Sequence, residues 1–341
     1  MKRSVPLALL LAFVASAANY SARQATVETV DVVVLADAAR KAEVTILPSI
    51  GNMAYEFKVN GKNVLWVPDG GLAKFKARPS MSGIPFLAPW GNRIDGQFFY
   101  ANGKKYNFNM GLGNVRGNIP MHGFLTTSSA WKVVAAKADA KSAWVTSRLE
   151  FWKYPDMMAQ FPFAHTIEMT YRLQDGVLQV ETALINHSTE PMPVSIGFHS
   201  YYRLWEAPRD KWKIHLPVRD HWVVDRNTVP TGEIKPADYP DPMPLEGRIF
   251  DDVFSNLIRG ADGRAEFWVQ AEKEKISVQY GPKWTVAVVW VPKGREFLCF
   301  EPMAAVTNGM NMAQNGLYKE LQSIPPGGEW RESFWVRTTG F

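Results

Sequence analysis

Over much of its length the chain alternates apolar and polar residues with a period of two, and dipeptides that turn a backbone sharply punctuate the alternation. Tyr55, Phe57 and Val59 alternate with Glu56 and Lys58, Asn60-Gly61 follows, and Val64 to Val67 returns. Phe98 to Tyr100, Asn102-Gly103 and Tyr106 to Phe108 repeat the arrangement. Ile167, Met169, Tyr171 and Leu173 precede Asp175-Gly176, and Leu178, Val180, Thr182 and Leu184 follow it. A period of two puts the apolar side chains on one face of a strand. Asn-Gly and Asp-Gly suit a two-residue type I′ turn because both central residues need positive φ. These stretches therefore predict antiparallel hairpins. Asp262-Gly263 adds a turn before Phe267 to Val269 and Ile276 to Tyr280, Trp284 to Trp290 and Phe297 to Phe300 read as buried strands, and Phe334 to Val336 closes the series. Only Gly316 to Leu321 invites a short helix. Strands throughout, without alternating helices, argue against Rossmann and TIM architectures and predict an all-β fold, an antiparallel β-sandwich in one domain.

Three stretches stand outside this pattern. Residues 1–18 carry a basic front (Lys2, Arg3), an apolar run from Val5 to Val14 and small residues from Ala15 to Ala18, the make-up of a Sec-type signal peptide. The apolar run is shorter than the ~20 residues of a membrane-spanning helix, so the expectation is an exported protein, periplasmic or secreted, with no membrane attachment after cleavage. Residues 19–42 form an N-terminal leader of mixed character, apolar from Val32 to Leu35 and helix-like from Ala36 to Lys41, which reads as a leader strand or a tether ahead of a domain over 43–341. Val229 to Pro244, rich in proline, reads as a long surface loop with no change of composition beyond it, and thus not as a linker.

Composition narrows the classes. The formal net charge is +5, of which Lys2 and Arg3 belong to the signal region. No basic run is interleaved with aromatics, so no nucleic-acid partner is expected. Aromatic residues make up 13% of the chain and leave rings to spare for a sugar-binding surface. The single cysteine, Cys299, lies inside an apolar run, which rules out an intramolecular disulfide and predicts a buried, inert thiol. Asn186-His187-Ser188 matches the glycosylation pattern.

Four stretches carry potential chemistry. In Phe297 to Met303 the carboxylate of Glu301 follows an apolar run and precedes Pro302, which removes a backbone donor and favours extended geometry before it, so Glu301 should end a strand. A carboxylate on a rigid strand suits a general base; the bland alternative is a glutamate facing water. Asn92-Arg93, after Trp90-Gly91, sets an amide beside a guanidinium, a pairing suited to vicinal hydroxyls, or else a turn with a surface arginine. His122 precedes Gly123 between apolar residues, and His199 ends an apolar strand among rings; each alone fits a structural histidine as well as a catalyst.

Taken together, Gly91-Asn92-Arg93, His122-Gly123, Gly197-Phe198-His199, Phe250-Asp251-Asp252-Val253-Phe254, Phe300-Glu301-Pro302 and Pro325-Pro326-Gly327-Gly328-Glu329 resemble the motifs of the aldose 1-epimerase (galactose mutarotase) family in order and separation. The resemblance implies a galactose-mutarotase-like supersandwich with a sugar cleft on its concave face. It implies Glu301 as the base that takes the C1 hydroxyl proton and His199 as the acid that protonates the ring oxygen, with neighbouring carboxylates raising the histidine above its usual ~6.5. It makes Asn92, Arg93, His122 and Asp251 substrate-binding residues, Asp251 and not Asp252 because it takes the first position of an Asp-x-x-Phe pattern. Trp90, Phe198 and Tyr201 become candidates for packing on the pyranose. An aldohexose is then the substrate, no organic cofactor or metal is needed, and the protein is a monomer or homodimer.

One departure bears on specificity. Many family members carry a glutamine in the strand before the glutamate, where the best register here puts Val288. Three rivals stay open. A hexose-6-phosphate mutarotase would need cationic contacts from Arg93, Arg116 or Arg203. A non-catalytic carbohydrate-binding protein would use the cleft without acid/base chemistry. A glycosidase would pair Asp251 with Glu301 at about 5 Å for retention or 6.5 to 9.5 Å for inversion.

Overall fold

A computed structural model describes residues 19–111 and 115–341. The signal-peptide expectation for residues 1–18 lies outside the described residues. The fold is all-β and antiparallel, with two large sheets and a five-stranded sheet beside them. The first large sheet runs, edge to edge, through Lys132–Ala138, Ala143–Glu150, His165–Gln174, Val177–Asn186, Glu329–Thr339, Lys275–Tyr280, Ala265–Gln270, Lys213–His215 and Met243–Pro244. The second runs through Pro230–Pro236, Val218–Val224, Phe250–Leu257, Val286–Val291, Leu298–Met303, Gly197–Phe198 and Phe86–Leu87, and Ser200–Tyr202 also pairs with Leu298–Met303.

Alternation along each strand decides which face is which. In Leu298–Met303, Leu298 and Phe300 enter the large core shared with the first sheet, where Phe300 meets Phe267 and Phe198 meets Phe334. Cys299 and Met303 fall in smaller clusters on the other face. The period of two therefore carries Glu301 to that second face as well. The strand Val286–Val291 repeats the division, with Ala287, Val289 and Val291 in the core and Val286 and Val288 on the face of Glu301.

The hairpins at Asn60-Gly61, Asn102-Gly103 and Asp175-Gly176 form as the turn chemistry predicts, each with its Asn or Asp and its Gly at positive φ. The first has a shorter return than expected. Lys62–Asn63 closes it, after which Val64 to Val67 turns to a new partner, Leu65 bridging Tyr202. Other expectations are corrected. Residues 19–42 are extended, as a leader strand would be, in a hairpin of Tyr20–Val27 and Val30–Asp37 that continues into Ala42–Leu47; the helix-like reading of Ala36 to Lys41 is what changes, since it is a strand end and a turn. Val229 to Pro244 contains the strand Pro230–Pro236, which sits at a sheet edge, where a proline's missing donor can face away from the ladder. Gly316 to Leu321 is not helical. Short helices form instead at Gly71–Ala77, Pro155–Gln160 and Gly309–Gln314, each too short for a helical period to be read.

Glu301 lies inside its strand and does not end it: Val288 pairs with Glu301 and Ala287 with Pro302. Pro302 has lost its N–H, yet the extended geometry it imposes suits a strand as well as a strand end. Asn186 is buried, and its amide donates to the carbonyls of Glu190, Ile324 and Pro325, so the glycosylation pattern there is a structural asparagine. Cys299 is buried as expected. No helix of the described residues is long and apolar enough to cross a membrane.

Candidate active site

His199 sits at a break between two short strands that share one partner. Gly197 pairs with Met303 and Ser200 with Phe300, so the register on both sides brings His199 level with Glu301. Its Nε2 lies 3.3 Å from Glu301 Oε1. The break is set from the other side, where the His199 N–H donates to the Pro85 carbonyl at 3.1 Å. A Cβ at Gly197 would stand 2.0 Å from Met303 Sδ and 3.0 Å from the Pro302 carbonyl oxygen, so a larger residue there would displace the buried Met303 side chain.

Two loops bring the remaining groups. The His122 N–H donates to the Asn92 carbonyl at 2.7 Å and the Ile94 N–H to that of Pro120 at 3.0 Å, which staples the segments around Arg93 and Met121 together. Asn92 and His122 both adopt left-handed backbone, which asparagine and histidine enter more readily than most residues. Gly123 follows with φ +60°, and a Cβ there would meet the Ala88 carbonyl oxygen at 2.0 Å. The Arg93 guanidinium donates to Asn92 Oδ1 at 2.9 Å and to Asp251 Oδ2 at 3.2 Å.

Asn92, Arg93, His122, His199, Asp251 and Glu301 thus line one cavity of about 210 Å3. That is below the ~300–1,000 Å3 of drug-sized ligand sites and suits a single small polar ring. Strand alternation sends the two aspartates to opposite sides. Asp251 faces the cavity, whereas Asp252 accepts from His221 Nε2 at 2.8 Å.

Of the three ring candidates, only Tyr201 lines the cavity, stacked on His199 with centroids 4.7 Å apart. Trp90 packs against Phe108 and Phe124, and Phe198 against Phe86 and Trp284, so both are core. Trp290 and Met81 also line the cavity and were not singled out by the motifs. Trp290 was legible in principle, since it is two residues from Val288 and shares its face, and it pairs with Asp251. Arg203 lies over the Trp205 ring, 4.0 Å from its centroid, beside a different cavity.

Burial dominates the electrostatics. Glu301 is 1% exposed, its Oε2 has no hydrogen-bond partner among the described residues, and its cross-strand neighbour is the apolar Val288. Loss of water and then the charge of Asp251 push its carboxyl well above the usual range, against a smaller downward pull from Arg93. His199 goes the other way. Burial, then His122 and Arg93, hold it well below its usual value, which reverses the expectation that carboxylates would raise it. Burial followed by Arg93 takes His122 down to about 3, so it stays neutral near pH 7. His199, Cys299 and Glu301 each offer an atom within 4.8 Å of the others, the one such group among the described residues that could hold a cation. Burial pushes the Cys299 thiol up, which makes it a poor ligand.

A family model described as Aldose 1-epimerase matches residues 32–337. Among solved structures, a galactose mutarotase-like protein from Clostridium acetobutylicum is similar with a TM-score of 0.84 at 22% identity, over 95% of this chain and 99% of that one. A galactose 1-epimerase from Lactobacillus acidophilus gives 0.72 at 13% identity, over 94% and 100%. An aldose epimerase homologue from C. elegans gives 0.68 at 18%, over 88% and 96%. At such identities these structures establish a shared fold.

Proposed function

The chain belongs to the aldose 1-epimerase family, and on that premise we propose that it is a mutarotase that interconverts the α and β anomers of an aldohexose, with Glu301 and His199 as the proton-transfer pair. The observation that carries the reading is the buried contact of 3.3 Å between His199 Nε2 and Glu301 Oε1 inside a cavity of monosaccharide size.

Ring opening breaks the C1–O5 bond. The bonding pair stays on O5, which takes the His199 proton, while the C1 hydroxyl gives its proton to Glu301 and C1 becomes an aldehyde carbon. Rotation about C1–C2 presents the other face, and closure runs the two transfers backwards. Glu301 and His199 thus hold one proton between them at the start and at the aldehyde, and no charge is left uncompensated at either stage. In the unliganded cavity burial favours the neutral partition, protonated Glu301 beside unprotonated His199. That is the state the pair reaches at the aldehyde, and the hydroxyls of a bound ring supply hydrogen bonds that favour the ion-pair partition needed for opening. Neutral His122 offers one further donor, and Arg93, held by Asn92 and Asp251, presents its remaining N–H groups to vicinal hydroxyls.

Freshly dissolved α-D-glucose and α-D-galactose followed by polarimetry at low buffer concentration test the reading. Faster approach to the anomeric equilibrium with the protein present supports it. Sugar binding without acceleration would make the protein a carbohydrate binder instead.

A further inference from the structure

A second cavity, of about 300 Å3, adjoins the first and shares Arg93 and Arg116 with it. Among the described residues the rest of its lining is Ile119, Arg226, Asn227 and Thr228, so half of these lining residues are arginines and none is acidic. Arg93 is compensated by Asp251. Arg116 and Arg226 are exposed and have no ion-pair or side-chain hydrogen-bond partner among the described residues.

The three guanidiniums come from separate parts of the fold. Arg116 belongs to the small hairpin Val115–Arg116 and Ile119–Pro120 that leads directly into His122, and it pairs with Ile119. Arg226 lies in the loop between Val218–Val224 and Pro230–Pro236, where the Asp225 carboxylate accepts from the Asn227 and Val229 N–H groups at 2.8 and 2.9 Å. That loop is thereby fixed, and its own acid is turned to its backbone. With Arg93 already paired, Arg116 and Arg226 are the two guanidiniums left without a counter-charge, and a neutral hexose would do nothing to offset them.

We infer that the sugar accepted by this protein carries an oxyanion, a carboxylate or a phosphate, that Arg116 and Arg226 bind beside the reacting ring. The inference rests on the mutarotase reading and names its substrate class. Guanidinium groups bind both oxyanions in bidentate fashion. The exocyclic C6 is the natural carrier, because a group there reaches furthest from the pyranose.

The test compares anomerisation rates, by proton NMR, of glucose and galactose with those of glucuronate, galacturonate and the two hexose 6-phosphates. The expected result is a kcat/KM at least about tenfold higher for one anionic class than for its neutral parent, with an advantage that shrinks as salt is added. Which class wins identifies the anion. Arg226→Ala should abolish that advantage through KM while leaving neutral hexoses within about twofold, and Arg226→Lys should restore part of it. Equal rates for neutral and anionic sugars would overturn the inference and leave the mutarotase reading intact. Equal losses on both in Arg226→Ala would make the arginine structural and also overturn it. No acceleration of any sugar would overturn both.

Discussion

At the scale of single residues, what matters about Glu301 and His199 is that burial opposes the charge of each. Because the lowered histidine accepts a second proton for the pair only well below pH 6.5, and the raised carboxyl keeps its proton to a higher pH than an ordinary glutamate, the acid edge of the singly protonated pair lies below pH 6.5. The expected kcat/KM profile is therefore flat through pH 6.5, with its acid limb displaced below that value, measured where circular dichroism shows the fold intact. An inflection near the ordinary histidine pKa would contradict the burial argument. The sequence offered both residues as candidates, and the expectation drawn from the family resemblance misjudged the histidine. It counted nearby carboxylates without knowing that Arg93 engages Asp251, so that the guanidinium also acts on His199. It also could not show that Trp90 and Phe198 turn into the core while Trp290 does not, because that depends on which face a strand buries.

At the scale of elements, the site depends on stapled loops as much as on strands. Gly123→Ala should cost about 1–2 kcal/mol for the left-handed backbone alone. The clash with the Ala88 carbonyl adds to this and displaces His122. A lower melting temperature together with loss of activity is the expected outcome, and a variant with unchanged melting temperature would show that the loop relaxes without consequence. The Asn-Gly and Asp-Gly hairpins were legible because their chemistry is local. Pro230–Pro236 was not, since nothing local tells a proline-bearing edge strand from a loop, and neither were helices of six or seven residues, in which two buried positions such as Leu72 and Phe75 set no clear period.

At the scale of the whole molecule, sequential hairpins make up part of each large sheet, but the pairings that join them, such as Val177–Asn186 with Glu329–Thr339 and Phe250–Leu257 with Val286–Val291, are non-local, and period-two alternation contains no information about them. The family resemblance supplied the supersandwich where spacing could not. The N-terminal hairpin is part of this assembly: Tyr20, Val33 and Leu35 join the main core, and Val30–Asp37 pairs along Ala42–Leu47. Deleting residues 19–37 should uncover that strand edge and those apolar contacts, giving aggregation or a lower melting temperature. An unchanged melting temperature would mean that the hairpin packs on a core complete without it. The proposed reaction depends on Glu301 and His199 sharing one proton. Its most direct test follows the anomeric protons of freshly dissolved α-D-galactose and of its anionic counterparts by NMR, with the wild-type protein and with Glu301→Gln. Acceleration by the wild type and a loss of about 10²–10⁴-fold in the variant at retained fold are expected; equal rates for the two proteins would rule out Glu301 as the base.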